Sequence, residues 1–137
     1  MSTNIAILLS ALALGTAFGV YRKFADGKIR TPAQQAVNTK FGETLGTQAT
    51  LVQFSSAFCQ PCRATRLLLK DVATTTPGVR HIEIDAEMHL DLVREMGVTR
   101  TPTTFVLDSN GTVIGKSVGL PKRQDVANLV LALQQTS

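Results

Sequence analysis

The stretch Ala49-Thr50-Leu51-Val52-Gln53-Phe54-Ser55-Ser56-Ala57-Phe58-Cys59-Gln60-Pro61-Cys62 decides the fold. Its first half, Ala49 to Ser55, is an apolar run that reads as a buried strand. Its end carries the only two cysteines of the chain, at the Cys-x-x-Cys spacing. From Cys62 to Ala73 the residues Leu67, Leu68, Val72 and Ala73 fall mostly on one side at helical spacing. A strand, a short turn and a dithiol opening a helix form a redox geometry. The unpaired N–H groups and positive end of the helix stabilise a thiolate there, lowering the pKa of the first cysteine. Pro61 suits the first helical position because it has no N–H to leave unsatisfied.

Two other uses of the pair are weaker. A structural zinc site needs four ligands, and the only histidines, His81 and His89, are eight positions apart, outside the usual short spacing. A structural disulfide between positions three apart constrains the unfolded chain very little. A redox pair is therefore expected, with Cys59 as the accessible nucleophile and Cys62 as the more buried resolving thiol. Arg63 and Arg66 are expected to add positive potential beside Cys59.

Outward from the dithiol, Thr74-Thr75-Thr76-Pro77-Gly78 stops the helix. Val79 to Asp85 alternates as a second strand, and Met88 to Met96 reads as a helix that Gly97 would cap. A strand–helix–strand unit of this length argues for parallel pairing. Thr103 to Leu107 is a third strand, Asp108-Ser109-Asn110-Gly111 a hairpin signal, and Thr112 to Val118 an antiparallel fourth strand. From Pro121 a last helix sets Val126, Leu129, Val130 and Leu133 on one face. Lys40 to Gln48 reads as a short helix or irregular lead-in with Phe41 and Leu45 turned inward. The expected product is an α/β domain: a mixed four-stranded sheet with helices on both faces.

Upstream, Ile5 to Tyr21 is uncharged over seventeen residues, the lower limit for spanning the hydrocarbon core. A cleaved signal peptide would want a basic n-region, and Met1 to Asn4 supplies only the terminal amine. The expected division is a transmembrane anchor over 1–21, a linker over 22–40 and one domain over 41–137. The net charge of +4 is concentrated next to the anchor, where Arg22, Lys23, Lys28 and Arg30 oppose Asp26. From Thr31 onward ten basic residues meet nine acidic ones, so no nucleic-acid face is expected. The basic flank lies C-terminal to the apolar run, which favours a cytoplasmic domain on a single-pass cell-membrane anchor.

The chain resembles the thioredoxin superfamily in Leu51 to Cys62, in Ile82-Glu83-Ile84-Asp85, in Gly97-Val98-Thr99-Arg100-Thr101-Pro102-Thr103, in Asn110-Gly111 and in Gly119. Order and spacing agree over about residues 45 to 135. The resemblance implies a thioredoxin-like fold and a cis peptide bond at Pro102 beside the dithiol. It also implies a substrate-binding surface of Phe58, Gln60, Pro61, Thr101 and Pro102. Departures from the pattern are Gln60 for glycine, Phe58 for tryptophan, and Leu67 for a helix-kinking proline. Gln53 stands where the family carries a buried acid that moves the proton of the resolving thiol. Glutamine cannot titrate, so that role is vacant or moved, and His81, aligned with a family lysine, is one replacement.

The function so implied is reduction of protein disulfides through Cys59 and Cys62, without metal or other cofactor. Electrons would come from a separate reductase or dithiol donor, since the chain has no nucleotide fingerprint. The alternatives are an extracytoplasmic relative serving envelope or cytochrome thiols, and a tethered binding module without turnover.

Overall fold

A seven-residue strand in which every residue is buried must sit inside a sheet covered on both faces. In the computed structural model, which describes residues 2–25, 27–30 and 41–136, that strand is β2 (Ala49–Ser55). The other elements are α1 (Ser2–Ala25), β1 (Ile29–Arg30), α2 (Gln60–Thr75), β3 (Val79–Asp85), α3 (Leu90–Glu95), β4 (Thr103–Asp108), β5 (Val113–Val118) and α4 (Arg123–Gln135). β2 runs parallel to β3, from Ala49↔Val79 to Ser55↔Asp85, and antiparallel to β4, with Phe54 opposite Thr103. β4 and β5 form the hairpin that Asn110-Gly111 announces. The Asp108 carboxylate accepts from the backbone N–H groups of Asn110 and Thr112, and Gly111 takes φ +78°. The expected mixed sheet of four strands, β5-β4-β2-β3, is present, with β1 added at the β5 edge.

Each face of the sheet carries its own apolar layer. Leu51 of β2 packs with Leu69 and Val72 of α2, Val106 of β4, and Val126 and Val130 of α4. Val52 and Phe54 belong to the other layer, with Ile82, Ile84, Phe105, Leu107 and Met96. Phe54 and Phe105 meet edge to face, with centroids 5.7 Å apart. Phe41, Leu45, Leu92 and Val93 close this second layer, so the lead-in and α3 cover one face while α2 and α4 cover the other.

Several boundaries differ from the sequence expectation. α2 starts at Gln60 rather than Cys62, because Cys59 itself takes the extended N-cap conformation. α3 is shorter than Met88 to Met96, being Leu90–Glu95, and Gly97 follows it at φ +64°. Of the two forms expected for the lead-in, residues 41–48 take the irregular one. α1 runs past the expected anchor boundary at Tyr21 and ends at Ala25.

The larger difference lies in the expected linker. Ile29 and Arg30 pair antiparallel with Ser117 and Lys116 of β5, and Ile29 packs on the α2–α4 layer. Gly27 is already bound, donating its N–H to Val118 O at 2.7 Å. At φ +80° and with a Cβ position 2.2 Å from Leu120 O, that site accepts only glycine. An otherwise open row of β5 backbone groups explains the pairing. Residues 31–40, the rest of the expected linker, lie outside the described residues.

Within α1, Thr3–Phe24 is long and apolar enough to cross a membrane, and none of it is buried in the protein. Length and composition of this kind are common to a membrane span and a signal sequence.

Candidate active site

Cys59 caps the N-terminus of α2 and Cys62 lies within its first turn, so the helix sets the two sulfurs on one end of the element. They are joined as a disulfide with Cα atoms 5.3 Å apart. Their surroundings differ. Cys62 is 1% exposed, whereas Cys59 is partly exposed on an open cleft of about 450 Å³ lined by Ser56, Phe58, Gln60 and Arg63. Phe58 is 98% exposed. Pro61 is the second residue of the helix rather than the first, and its missing N–H is still one of those a helix leaves unpaired.

The bond at Thr101-Pro102 is cis. This loop is tied to the dithiol turn by Ser56 Oγ and Thr101 Oγ1, 3.0 Å apart, and to the end of β5 by Gly119 N–H donating to Pro102 O at 2.8 Å. β4 begins immediately after it, next to the end of β2. Phe58, Cys59, Gln60, Pro61, Thr101 and Pro102 therefore gather at one end of the sheet.

Beneath the dithiol lies a polar chain. Gln53 is fully buried, and its Nε2 donates to Cys62 O at 2.9 Å and to Ser55 Oγ at 3.0 Å. A backbone carbonyl only accepts, so the amide nitrogen must face Cys62 and the amide oxygen must face His81, whose Nε2 is 3.1 Å away. It follows that His81 carries its proton on Nε2. The Ser55 hydroxyl helps hold the Glu83 carboxylate charged, and Arg66 of α2 grips both Glu83 oxygens at 2.5 and 2.6 Å. Arg66 is thus largely neutralised, which removes most of the potential expected from it at Cys59. In register next to Gln53 come Thr104 and then Ser117, both buried, whose hydroxyls have no hydrogen-bond partner among the described residues.

Ser55, Ser56 and Glu83 were not singled out by sequence as site residues. Glu83 had a signal: two positions after His81 on a strand, it faces the same way.

Burial pushes the His81 imidazole below its ordinary 6.5, outweighing the attraction of Glu83 and helped by the repulsion of Arg66 and Lys70. The Arg66 bond holds the Glu83 carboxyl below its ordinary 4.5, against its own partial burial. Both shifts have one sign for stability. An imidazole kept neutral in the fold and a carboxylate kept charged each bind more protons when unfolded, so acid destabilises the protein. Loss should begin as pH falls below about 6.5 for His81 and deepen below about 4.5 for Glu83. His81→Gln, which keeps a donor toward Gln53, should erase the first phase only. Urea unfolding in detergent from pH 8 to 4 reads both, and an unchanged first phase would show that His81 is not its source.

The fold is therefore built around one accessible and one buried cysteine at the N-terminus of a helix. The thioredoxin family profile matches residues 32–132, and the chain belongs to that family. It is 33% identical over 69 residues to mitochondrial thioredoxin-3 of Saccharomyces cerevisiae, covering 50% of this chain and 54% of that one. It is 26% identical over 90 residues to thioredoxin of Chlamydia muridarum, covering 66% of this chain and 87% of that one. The chain thus spans about half the length of the yeast relative and most of the chlamydial one. Among solved structures, a mutant thioredoxin from Halobacterium salinarum superposes with a TM-score of 0.58 at 21% identity, over 64% of this chain and 75% of that one. At that identity the likeness bears on fold alone.

Proposed function

We propose that this protein is a membrane-anchored thiol–disulfide oxidoreductase that reduces protein disulfides through Cys59 and Cys62. The observation that carries it is the unequal exposure of the two cysteines across the first turn of α2, beside the Thr101-Pro102 loop. The helix N-terminus favours the Cys59 thiolate. That thiolate attacks one sulfur of a substrate disulfide, expelling the other as a thiolate that takes up a proton. Cys62 then gives up its proton and attacks Cys59 in the mixed disulfide, releasing the second substrate thiol. In sum, one substrate disulfide becomes two thiols while the protein dithiol becomes the Cys59–Cys62 disulfide.

Phe58, Gln60 and Pro61 offer one wall to an extended substrate segment, and half-buried Thr101 the other, with Pro102 buried behind it. Gln53 and His81 serve the proton of Cys62 indirectly. The amide orients the Cys62 carbonyl and cannot itself take a proton, and His81 presents Nε2–H to that amide, which leaves its Nδ1 as the nitrogen able to accept a proton through solvent. A separate reductase or dithiol donor returns the pair to the dithiol, and no cofactor beyond the two cysteines enters. The basic flank of α1 favours the cytoplasmic side for the domain.

The reduction potential of the pair in the full chain, equilibrated against glutathione, tests the direction. A value close to that of thioredoxin, about −270 mV, is expected. A value close to about −120 mV would overturn reduction in favour of oxidation outside the cytoplasm. A pair that failed to equilibrate would leave a binding module as the better account.

A further inference from the structure

The segment leaving α1 joins the domain at the same end of the sheet as the dithiol. β2 runs toward Cys59, so the end that holds Phe54 and Ser55 is the dithiol end. Phe54 pairs with Thr103, Thr103 with Val118, and Ser117 with Ile29. Gly27, the second residue after α1, donates to Val118 O, and the neighbouring Gly119 donates to Pro102 O. A line of bonds thus runs from Gly27 to the Thr101-Pro102 loop and, through Ser56, to the dithiol turn. Three strand spacings separate Gly27 from the dithiol, about 14 Å along the sheet end. The β4–β5 hairpin lies at the opposite end, about 23 Å away by the length of a seven-residue strand.

Exposed apolar side chains mark the same end. Outside α1 the described large hydrophobics left exposed are Phe58, Leu67, Met88, Leu90, Leu120 and Leu131. Leu67 and Leu131 sit along α2 and α4. The other four follow the ends of β2, β3 and β5, and so ring the dithiol end. The hairpin end, Asp108-Ser109-Asn110-Gly111, has none. Charge at the dithiol end is mixed, with Lys28, Arg63, Arg100 and Lys122 among Asp85, Glu87 and Asp91, so the apolar ring is joined by only a small basic excess.

We infer that the dithiol end of the domain faces the membrane that holds α1, and that its substrates are disulfides of membrane-bound proteins lying at headgroup level. The inference rests on α1 being a retained membrane helix and on the exchange chemistry proposed above. The single residue between α1 and Gly27 spans at most about 3.6 Å, so the end of the sheet where Gly27 is bound stays next to the end of α1 while β1 is paired. A disulfide held far above the bilayer is then out of reach, whatever its intrinsic reactivity.

The test uses the reduced full chain in lipid vesicles with two transmembrane peptides carrying the same disulfide-closed loop. One holds the loop at the headgroups. The other raises it on a rigid helical spacer of about thirty residues, roughly 45 Å. The headgroup loop should be reduced at least tenfold faster. Inserting about twenty Gly/Ser residues between Ala25 and Asp26, a flexible reach of about 25 Å, should bring the two rates to within about twofold. Equal rates for the parent chain, or a faster tall loop, would overturn the inference. Failure to float with the vesicles would instead remove the membrane reading, and failure to reduce oxidised glutathione would remove the exchange reading; either takes this inference with it.

Discussion

Cys59→Ser is expected to abolish disulfide reduction, leaving no turnover above the uncatalysed rate. A serine hydroxyl is not ionised at neutral pH, and it cannot end as one half of a disulfide, so the two electrons that leave the protein dithiol have no route. Cys62→Ser fails later. The accessible Cys59 still attacks, but nothing within the first turn of α2 resolves the product, so a mixed disulfide accumulates to one equivalent and stops. Proximity makes the difference: Cys62 lies with its Cα 5.3 Å from that of Cys59, so its attack is intramolecular, and an outside thiol has to arrive by diffusion. Thiol release from a model protein disulfide, with intact mass of the enzyme under non-reducing conditions, reads both variants. A Cys59→Ser chain within tenfold of the parent, or a Cys62→Ser chain with no adduct, would sink the assignment of roles.

The parts of this structure that sequence disclosed are those where local pattern and long-range packing agree. β2 is apolar throughout because it is covered on both faces, and its seven buried residues needed no partner to be recognised. The hairpin followed from Asn110-Gly111, since few residues other than glycine accept φ +78°. The dithiol followed from spacing plus a strand before it and a helix after it. The parts that stayed hidden depend on contacts without local signature. Two residues, Ile29 and Arg30, are too few for alternation to show, and only the open edge of β5 makes them a strand. The pairing of Arg66 with Glu83 spans seventeen positions and appears only when α2 lies across β3. Gln53 was legible as an oddity, a polar residue in an apolar run. Which way its amide points could be known only once Cys62 O and His81 were seen on either side of it.

That orientation gives Gln53→Glu a large expected effect. The two side chains have the same length and shape, so the change replaces the Nε2 donor by an oxygen and little else. That oxygen would face Cys62 O and Ser55 Oγ, in a place with no solvent exposure. Either the carboxyl keeps its proton to preserve one donor, or it ionises against a carbonyl. At neutral pH the cost is about 2–4 kcal/mol, a lost buried bond together with a poorly compensated charge. Its pH dependence has the opposite sign to that of the parent. A carboxyl forced to stay protonated in the fold titrates above its unfolded value of about 4.3, so the penalty is absent below that pH and grows as pH rises through the folded value. The parent loses stability in acid through His81 and Glu83, and the gap between the two proteins should therefore narrow steadily from pH 7 to pH 4. His81 should respond as well, its imidazole pKa raised toward its ordinary value by a carboxylate 3.1 Å from Nε2 in place of an amide oxygen. Urea unfolding across that range, with the His81 imidazole followed by NMR, separates these effects. A gap under about 0.5 kcal/mol at every pH would mean that the amide donor does not hold Cys62 in place. A wide gap that closes in acid, with the rate of disulfide reduction acquiring a new ionisation, would mean that glutamine keeps this position uncharged so that the resolving cysteine works without a carboxylate beneath it.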